Sequence, residues 1–142
     1  LNISDLHVGF SQQISKQILQ TDIDNFVALT GDEHPLHTDK EYAQSCGYRD
    51  VIAHGLLISS YTSALIGMKL PGRTALITSE KFDYRAPSFP GDRLTIVGTI
   101  KEIDERFSRI SVKMEVRNQN QKLVAVGNYG VMIRDEIKRG RD

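Results

Sequence analysis

The sequence predicts an α+β fold in which one long helix covers one face of a single antiparallel sheet. Residues 55–70 carry apolar side chains three and four positions apart, the pattern of a long and largely buried helix. Segments of alternating apolar and polar residues follow it and predict four strands, over residues 74–84, 93–103, 106–117 and 122–133. A sheet with one apolar face must bury that face, and this helix is the only predicted element long enough to do so.

The connections and the earlier elements follow from local chemistry. Turn residues separate the predicted strands at 87–92, 104–105 and 118–121, which favours antiparallel hairpins. Residues 10–18 predict an edge strand. Thr21 is a candidate N-cap for a short helix that ends at Gly31. Residues 32–53 are irregular and polar, with a short helix over 39–45, and we expect them to form an excursion outside the core.

Composition limits the class of protein. The chain has 142 residues, of which 39% are hydrophobic and 25% charged, as in one ordinary globular domain spanning residues 1–142. Eighteen basic residues balance eighteen acidic ones, which argues against a nucleic-acid binder. The sequence holds no apolar run long enough to span a membrane. A single cysteine, Cys46, is typical of a reducing compartment, so we expect a cytoplasmic location.

The residues that carry chemistry lie between the two predicted helices. Asp32 and His37 flank a turn that contains Pro35, and such a turn can bring the two side chains to opposite sides of one water molecule. Near neutral pH a carboxylate and an uncharged imidazole both accept protons, so the pair can hold and activate water. The plainer interpretation is that Asp32 caps the turn and His37 bonds a buried carbonyl.

A metal site is a second alternative for the same segment. Carboxylate and imidazole groups are common metal ligands, and the segment supplies several of them. They are Asp32, His34, His37, Asp39 and His54. The spacing of the two nearest histidines is a weak signal without a helix under it, so we expect no metal.

The wider string of residues resembles the MaoC-like family of (R)-specific enoyl-CoA hydratases. Residues 26–37 read FVALTG-DEHPLH, residues 53–57 read AHGLL and residues 82–92 read FDYRAPSFPGD. These segments are similar to the family signature (Asp, any residue, Asn, Pro, an apolar residue, His), to its His-Gly motif and to its Pro and Gly-Asp stretch. One difference is that His34 stands where the family has Asn.

The resemblance implies a fold, a reaction and a partner. The fold is the hot-dog fold, a long central helix wrapped by a curved antiparallel sheet, in a homodimer whose sheets join edge to edge. The reaction is addition of water to a trans-2-enoyl thioester to give the (R)-3-hydroxyacyl product, or the reverse dehydration. The reaction needs no cofactor. Its substrate is carried on coenzyme A or on acyl carrier protein.

The resemblance also implies roles for individual residues. Asp32 and His37 become the catalytic dyad that holds the water, and His34 a residue that supports their loop. Gly55 opens the long helix, so its backbone N–H can donate to the thioester oxygen as negative charge develops there. Ser63 corresponds to a serine that supports the catalytic loop.

The acyl chain is expected to enter an apolar tunnel along the long helix. Leu56, Leu57 and Ser60 are the predicted wall residues, with core packing as the alternative for each leucine. Two other functions stay open at this point. One is a hot-dog thioesterase, in which water attacks the carbonyl carbon, and the other is a module that binds acyl groups or a partner without catalysis.

Overall fold

The computed structural model describes residues 1–134, which form one antiparallel sheet, a long helix and several short helices. The predicted domain of residues 1–142 therefore extends eight residues beyond the described part. The strands are β1 (Ser11–Gln17), β2 (Ala75–Tyr84), β3 (Arg93–Asp104), β4 (Arg109–Arg117) and β5 (Leu123–Ile133). The helices are α1 (Gln20–Thr30), α2 (Pro35–Thr38), α3 (Lys40–Ser45) and α4 (Gly55–Met68), after a short 3₁₀ helix at Ile3–Asp5.

The strands lie in the order β1-β3-β4-β5-β2, and all neighbours are antiparallel. The hairpins predicted at 104–105 and 118–121 are confirmed, and so is the edge position of β1. The hairpin predicted at 87–92 is wrong, because β2 pairs with β5 while β3 pairs with β1. The backbone of Ile18 occupies the place beside this segment, since it accepts from the Gly91 N–H and donates to the Asp92 carbonyl. Residues 85–92 therefore cross from β2, at one edge of the sheet, to β3, which lies next to the strand at the opposite edge.

The core lies between α4 and one face of the sheet, and the predicted α+β fold is confirmed. Side chains alternate between buried and partly exposed along β3 and β4, as a sheet with one covered face requires. The helix supplies four large buried side chains, Leu57, Ile58, Leu65 and Ile66. The strands supply buried side chains that include Leu94, Ile96, Ile100, Val112, Met114, Val116 and Tyr129. Among the described residues, no helix is both long and apolar enough to cross a membrane.

Two expectations about the first half of the chain need correction. Helix α1 begins at Gln20, so Thr21 lies inside it, and the Asp22 carboxylate accepts from the Leu19 N–H at the helix start. The segment 32–53 is not wholly outside the core, because Ala43, Val51 and Ala53 are buried. The single Ala43 and the three-residue apolar run 51–53 are too short to give a periodic signal, which is why the sequence pattern did not predict their burial.

A glycine lets α4 approach the sheet closely. A methyl group added at Gly98 of β3 would lie 2.8 Å from Leu65 Cδ2 and 3.2 Å from Leu70 Cδ2. Both leucines are fully buried, so they have little free volume into which they can move. The separation of helix and sheet, and with it the position of the start of α4, depends on this close contact.

We expect Gly98→Ala to destabilise the protein by about 1–3 kcal/mol through overpacking of this contact. Urea unfolding followed by circular dichroism measures the change. Thr99→Ser is the matched control, because Thr99 is the next residue of the same strand, points to the opposite face, and should change stability by less than about 0.5 kcal/mol. Equal stability of Gly98→Ala and the parent protein would show that the close contact does not hold the helix.

Candidate active site

Three chain segments converge beside the start of α4 and bring Asp32, His37 and His54 together. Asp32 follows Gly31, whose left-handed backbone (φ 75°) ends α1 and turns the chain back. His37 lies in α2, and His54 is the residue immediately before α4. One side-chain nitrogen or oxygen from each of the three lies within 4.8 Å of the others. The predicted pairing of Asp32 with His37 is therefore present, with a third polar group added.

A hydrogen bond to the backbone determines which nitrogen of His37 carries the proton. His37 Nδ1 lies 2.6 Å from the carbonyl oxygen of Ile52, and a carbonyl only accepts, so Nδ1–H is the donor. The Ile52 N–H donates in turn to the carbonyl of Leu36, 2.9 Å away. Ile52 is therefore joined to α2 by two hydrogen bonds, one through its carbonyl and one through its N–H. In the uncharged ring, Nε2 is then left as a proton acceptor.

The surroundings of His37 favour this uncharged form. Burial lowers the pKa of His37 below its usual value; the hydrogen bond to Ile52 opposes this effect and the nearby His54 adds to it. The side chain of Asp32 is 53% exposed, so its carboxylate faces solvent beside the ring. At neutral pH the site therefore presents two proton acceptors, one imidazole nitrogen and one carboxylate.

His34 shapes the turn between the two acceptors. Its Nδ1 accepts from the Leu36 N–H at 3.1 Å, which caps the first turn of α2. Its backbone N–H donates to Asp32 Oδ1 at 3.3 Å, and its carbonyl accepts from the His37 N–H at 2.8 Å. The ring nitrogen acts as an acceptor, which is the role that an Asn side-chain oxygen plays at a helix N-cap. His34 can therefore support the loop as an amide would.

His54 is buried behind the pair. It is 3% exposed, and its Nε2 lies 3.1 Å from the backbone oxygen of Asp32 and 4.0 Å from Asp32 Oδ2. Its ring is stacked on the ring of His37, with centroids 3.7 Å apart and planes 22° apart. The ring of Phe26 packs against it at 4.6 Å.

The stacked rings are poorly placed to bind a metal ion together. The lone pair of an imidazole nitrogen lies in the plane of its ring, and ligands of one ion must point toward a common centre. Two rings that are stacked nearly parallel direct their lone pairs side by side instead. Two ring nitrogens, His37 Nδ1 and His54 Nε2, already contact backbone oxygens. The absence of a metal stays a prediction, and this geometry supports it.

A cleft of about 370 Å³ opens next to His37 and the first residue of α4. Its walls are mostly apolar and come from the loop before α4, from α4 and from the segment after β2. The lining residues are His37, Tyr48, Ile52, Ala53, Gly55, Ile58, Tyr84, Arg85, Ala86, Pro87, Ser88 and Val124. The cleft thus joins an apolar surface to a proton acceptor.

Gly55 borders this cleft, and a side chain there would be too close to its neighbour. A methyl group at this position would lie 2.9 Å from the ring of Tyr84. Within residues 1–134 the Gly55 N–H has no hydrogen-bond acceptor, as expected for the first residue of a helix. The cleft that His37 borders is therefore also bordered by a backbone N–H at the positive end of α4 that has no partner among the described residues.

Comparison with known proteins agrees with this geometry. The sequence profile of the MaoC like domain matches residues 5–122. The (R)-specific enoyl-CoA hydratase of Rhodospirillum rubrum is 34% identical over 131 residues, covering 91% of this chain and 89% of that protein. The 3-hydroxybutyryl-CoA dehydratase of Methylorubrum extorquens is 31% identical and covers 84% and 77%. The unliganded R-hydratase PhaJ1 of Pseudomonas aeruginosa superposes with a TM-score of 0.89 at 27% identity, covering 99% and 92%.

The chain belongs to the MaoC-like family. The resemblance of its sequence motifs to that family is thereby confirmed, and so is the hot-dog fold that the resemblance implied. The DEHPLH segment of this MaoC-like chain is the α2 turn, and the His-Gly motif is the junction of the preceding loop with α4.

Of the predicted site residues of the MaoC-like chain, His37 and Gly55 line this cleft, and the other six, Asp32, His34, Leu56, Leu57, Ser60 and Ser63, do not. Leu56 is 66% exposed and Leu57 belongs to the core, while Ser60 is exposed and donates to the Leu57 carbonyl. Ser63 is also exposed and makes no hydrogen bond to the described loop. The prediction that Leu56, Leu57 and Ser60 line an acyl tunnel along the helix stays a prediction; the α4 residue beyond Gly55 that lines this cleft is Ile58. The expected support of the loop by Ser63 is not made within the chain.

Arg49 and Asp92 fasten the loop before α4, a role that the sequence pattern did not reveal. Asp92 is buried and accepts from Arg49 Nη2 (3.1 Å), Gln119 Nε2 (3.0 Å) and the Phe89 N–H (2.9 Å). Arg49 also stacks over the ring of Phe89, 4.1 Å from its centroid. The Asp of the Gly-Asp motif, Asp92, therefore binds Arg49 and through it holds the loop that carries Ile52.

Ser88 is another residue of the cleft wall that sequence reasoning missed. Its carbonyl accepts from the N–H of Ala53 at 2.8 Å. Ser88 is thereby held against the loop two residues before Gly55. Its side chain is 2% exposed, and within the described part of the chain its hydroxyl has no hydrogen-bond partner. A buried hydroxyl without a partner is destabilising.

We expect Ser88→Ala to raise the free energy of unfolding by about 1 kcal/mol, because it removes the desolvation penalty of the unpaired hydroxyl with little change in volume. Thermal and urea unfolding measure the effect. Ser4→Ala, at an exposed serine, is the control and should leave stability unchanged. A loss of stability in Ser88→Ala would show that the hydroxyl has a partner in the folded protein.

Proposed function

We propose that this chain hydrates trans-2-enoyl thioesters to (R)-3-hydroxyacyl thioesters and catalyses the reverse dehydration. The observation that carries the proposal is the grouping of two proton acceptors and one backbone donor: His37 and Gly55 border one cleft, and a carboxylate oxygen of Asp32 lies within 4.8 Å of a ring nitrogen of His37. The names of the relatives supply the reaction class, since they are hydratases and a dehydratase of CoA thioesters.

The chemistry needs a positioned water, a proton for C2 and a donor for the thioester oxygen. Asp32 and His37 can each accept one hydrogen of the same water and so direct its oxygen at C3. As the C3–O bond forms, one water proton passes to the dyad and the electron pair of the double bond moves toward the thioester carbonyl. The Gly55 N–H stabilises the negative charge on that oxygen, an effect typically worth ~10²–10³ in rate. The dyad then returns the proton to C2.

This sequence of steps is balanced without a redox or metal cofactor. One O–H bond of water and the π bond between C2 and C3 are broken, one C–O and one C–H bond are formed, and the C2–C3 single bond remains. Both additions occur on the face of the substrate that lies against the dyad, because the same groups hold the water and return the proton. We therefore propose that the reaction needs no cofactor, with the acyl group carried on coenzyme A or on acyl carrier protein. We also propose that the protein acts in the cytoplasm.

The chain is further proposed to act as a homodimer. At one edge of the sheet, β1 exposes only serine and glutamine side chains. At the other edge, β2 exposes the apolar side chains of Leu76 (47%) and Tyr84 (46%) beside the polar and charged residues 78–81 and 83. A second copy placed along β2 would cover Leu76 and Tyr84.

Asp32→Asn and His37→Gln are each expected to lower kcat for hydration of crotonyl-CoA by ~10²–10⁴, because each removes a proton acceptor of the dyad. Loss of enoyl absorbance measures the hydration, and chiral analysis of the product is expected to give the (R) alcohol. Release of free thiol is measured in the same assay and should be absent. The same enoyl groups on acyl carrier protein show which carrier is preferred.

The controls are Asp5→Asn and His7→Gln, which make the same chemical changes at exposed residues away from the cleft and should leave turnover unchanged. Thiol release at the rate of substrate loss would identify a thioesterase instead. Turnover unaffected by either dyad substitution would remove Asp32 and His37 from the mechanism. Binding of the thioester without any turnover would indicate a non-catalytic acyl-binding module.

We expect the chain to sediment with the mass of two chains and Leu76→Lys to shift it toward the monomer, because a charge on the exposed β2 edge opposes pairing. Sedimentation velocity over a range of concentrations measures the change. Phe107→Lys is the control, since Phe107 is also an exposed apolar residue (63%) but lies in the turn between β3 and β4. A monomer for the parent protein, or a dimer unaffected by Leu76→Lys, would contradict the proposed interface.

A further inference from the structure

We propose that His54 is a positioning residue for the dyad: its ring orients the imidazole of His37, and its Nε2–H holds the backbone of Asp32. This inference rests on the proposed function for its effect on turnover. Its effect on His37 itself can be measured without any substrate. His54 does not border the cleft, so it acts through its two neighbours.

The side chain of His54 is not used in the way that its position in the chain would suggest. His54 is the N-cap residue of α4, where a polar side chain commonly accepts a hydrogen bond from the first turn. It makes no such bond. The side chain turns back instead to the α1–α2 loop, where Nε2 lies 3.1 Å from the Asp32 carbonyl oxygen. Because a carbonyl cannot donate, Nε2 carries the hydrogen.

This hydrogen bond joins the two ends of the site. Asp32 belongs to the loop after α1, whereas Gly55, the proposed oxyanion donor, is bonded directly to His54 along the chain. The Nε2–H bond therefore links the carboxylate-bearing loop to the start of α4 across 22 residues of sequence. The distance between the water-holding groups and the Gly55 N–H depends on this link.

The ring of His54 restricts a motion of the His37 ring that the hydrogen bond from His37 to Ile52 still allows. The bond from His37 Nδ1 to Ile52 holds one atom of the ring, about which the ring plane could still tilt. The ring of His54, 3.7 Å away and tilted by only 22°, supports the whole plane. Since Nε2 lies in that plane, the stack sets the direction of its lone pair. Phe26 packs against the ring of His54 and leaves it little freedom.

His54 also carries a cost that a packing residue would avoid. Its Nδ1 is buried and has no hydrogen-bond partner in the described chain. A buried polar atom without a partner is destabilising, and such atoms are concentrated at functional positions. A phenylalanine would fill the same space without it. The imidazole is thus explained by its Nε2–H and its stacking together, and not by packing alone.

Two substitutions separate the two contacts. His54→Phe keeps an aromatic ring on His37 but loses the N–H, and His54→Gln keeps an N–H near the position of Nε2 but loses the ring. Each is expected to lower kcat for crotonyl-CoA hydration by ~10- to 100-fold, the effect of a small misplacement of catalytic groups. KM should change by less than about threefold, because His54 does not touch the cleft. His7→Phe and His7→Gln are the matched controls.

The titration of His37 gives a readout that a purely structural role would not move. The titratable and charged groups near His37 are Asp32, His34 and His54, with Tyr48, Tyr84 and Arg85 in the cleft described above and Asp24, Lys40 and Asp50 in a second cleft that His37 also borders. His54 lowers the pKa of His37, because two stacked imidazoles repel each other when both are protonated. Both substitutions should therefore raise the pKa of His37. His37 must be unprotonated to accept a proton, so the acid limb of kcat/KM should move to higher pH.

NMR titration of the His37 ring measures this pKa in the parent protein and both variants without substrate. An unchanged His37 titration in folded variants would overturn the proposal, whatever happens to turnover. So would kcat within twofold of the parent in both variants. If the parent protein does not hydrate enoyl thioesters, the proposed function fails and the NMR result alone decides the role of His54. Should either variant fail to fold, Phe26→Leu, which loosens the ring of His54, should give the same changes at smaller amplitude.

Discussion

The site depends first on the hydrogen bond from His37 Nδ1–H to the carbonyl of Ile52. At 2.6 Å it assigns the ring proton to Nδ1 and leaves Nε2 as an acceptor. It is effective only because the carbonyl is itself held in place. The Ile52 N–H donates to Leu36, the next residue donates to the Ser88 carbonyl, and Arg49 binds the buried Asp92. A loop without regular secondary structure thereby gains the rigidity that proton transfer in a fixed direction requires.

The start of α4 is the second fixed point. Close packing of Leu65 on Gly98 determines how near the helix lies to the sheet, and the ring of Tyr84 lies against the backbone of Gly55. The close contacts at Gly98 and at Gly55, two glycines far apart in sequence, thus both hold the helix whose first residue carries this N–H. Its donor capacity comes from the geometry of every helix start, where the first N–H groups have no intrahelical acceptor. What is particular to this chain is that a cleft and two proton acceptors lie beside it.

The local elements were predictable because each has a short-range cause. The apolar spacing of α4, the alternation in β3 and β4 and the left-handed glycine at residue 31 all follow from residues a few positions apart. The pairing of β2 with β5 was not predictable, because the turn-like residues 87–92 fit a hairpin as well as a crossover. The same limit applies to the faces of α4. Periodicity indicates an apolar helix, but it does not say that Ile58 and not Leu56 turns toward the cleft.

The sequence by itself determined the α+β class and most of the helix and strand segments. It also determined the pair Asp32 and His37, because the turn over residues 32–37 brings its own ends together. Only the tertiary structure decided that His54 stacks on His37, that Asp92 holds the loop through Arg49, and that Ser88 lies in the cleft wall. These contacts join residues between 17 and 43 positions apart or lie on a crossover. Local propensity carries no information about such contacts, and they form only when the loop, α4 and the sheet pack together.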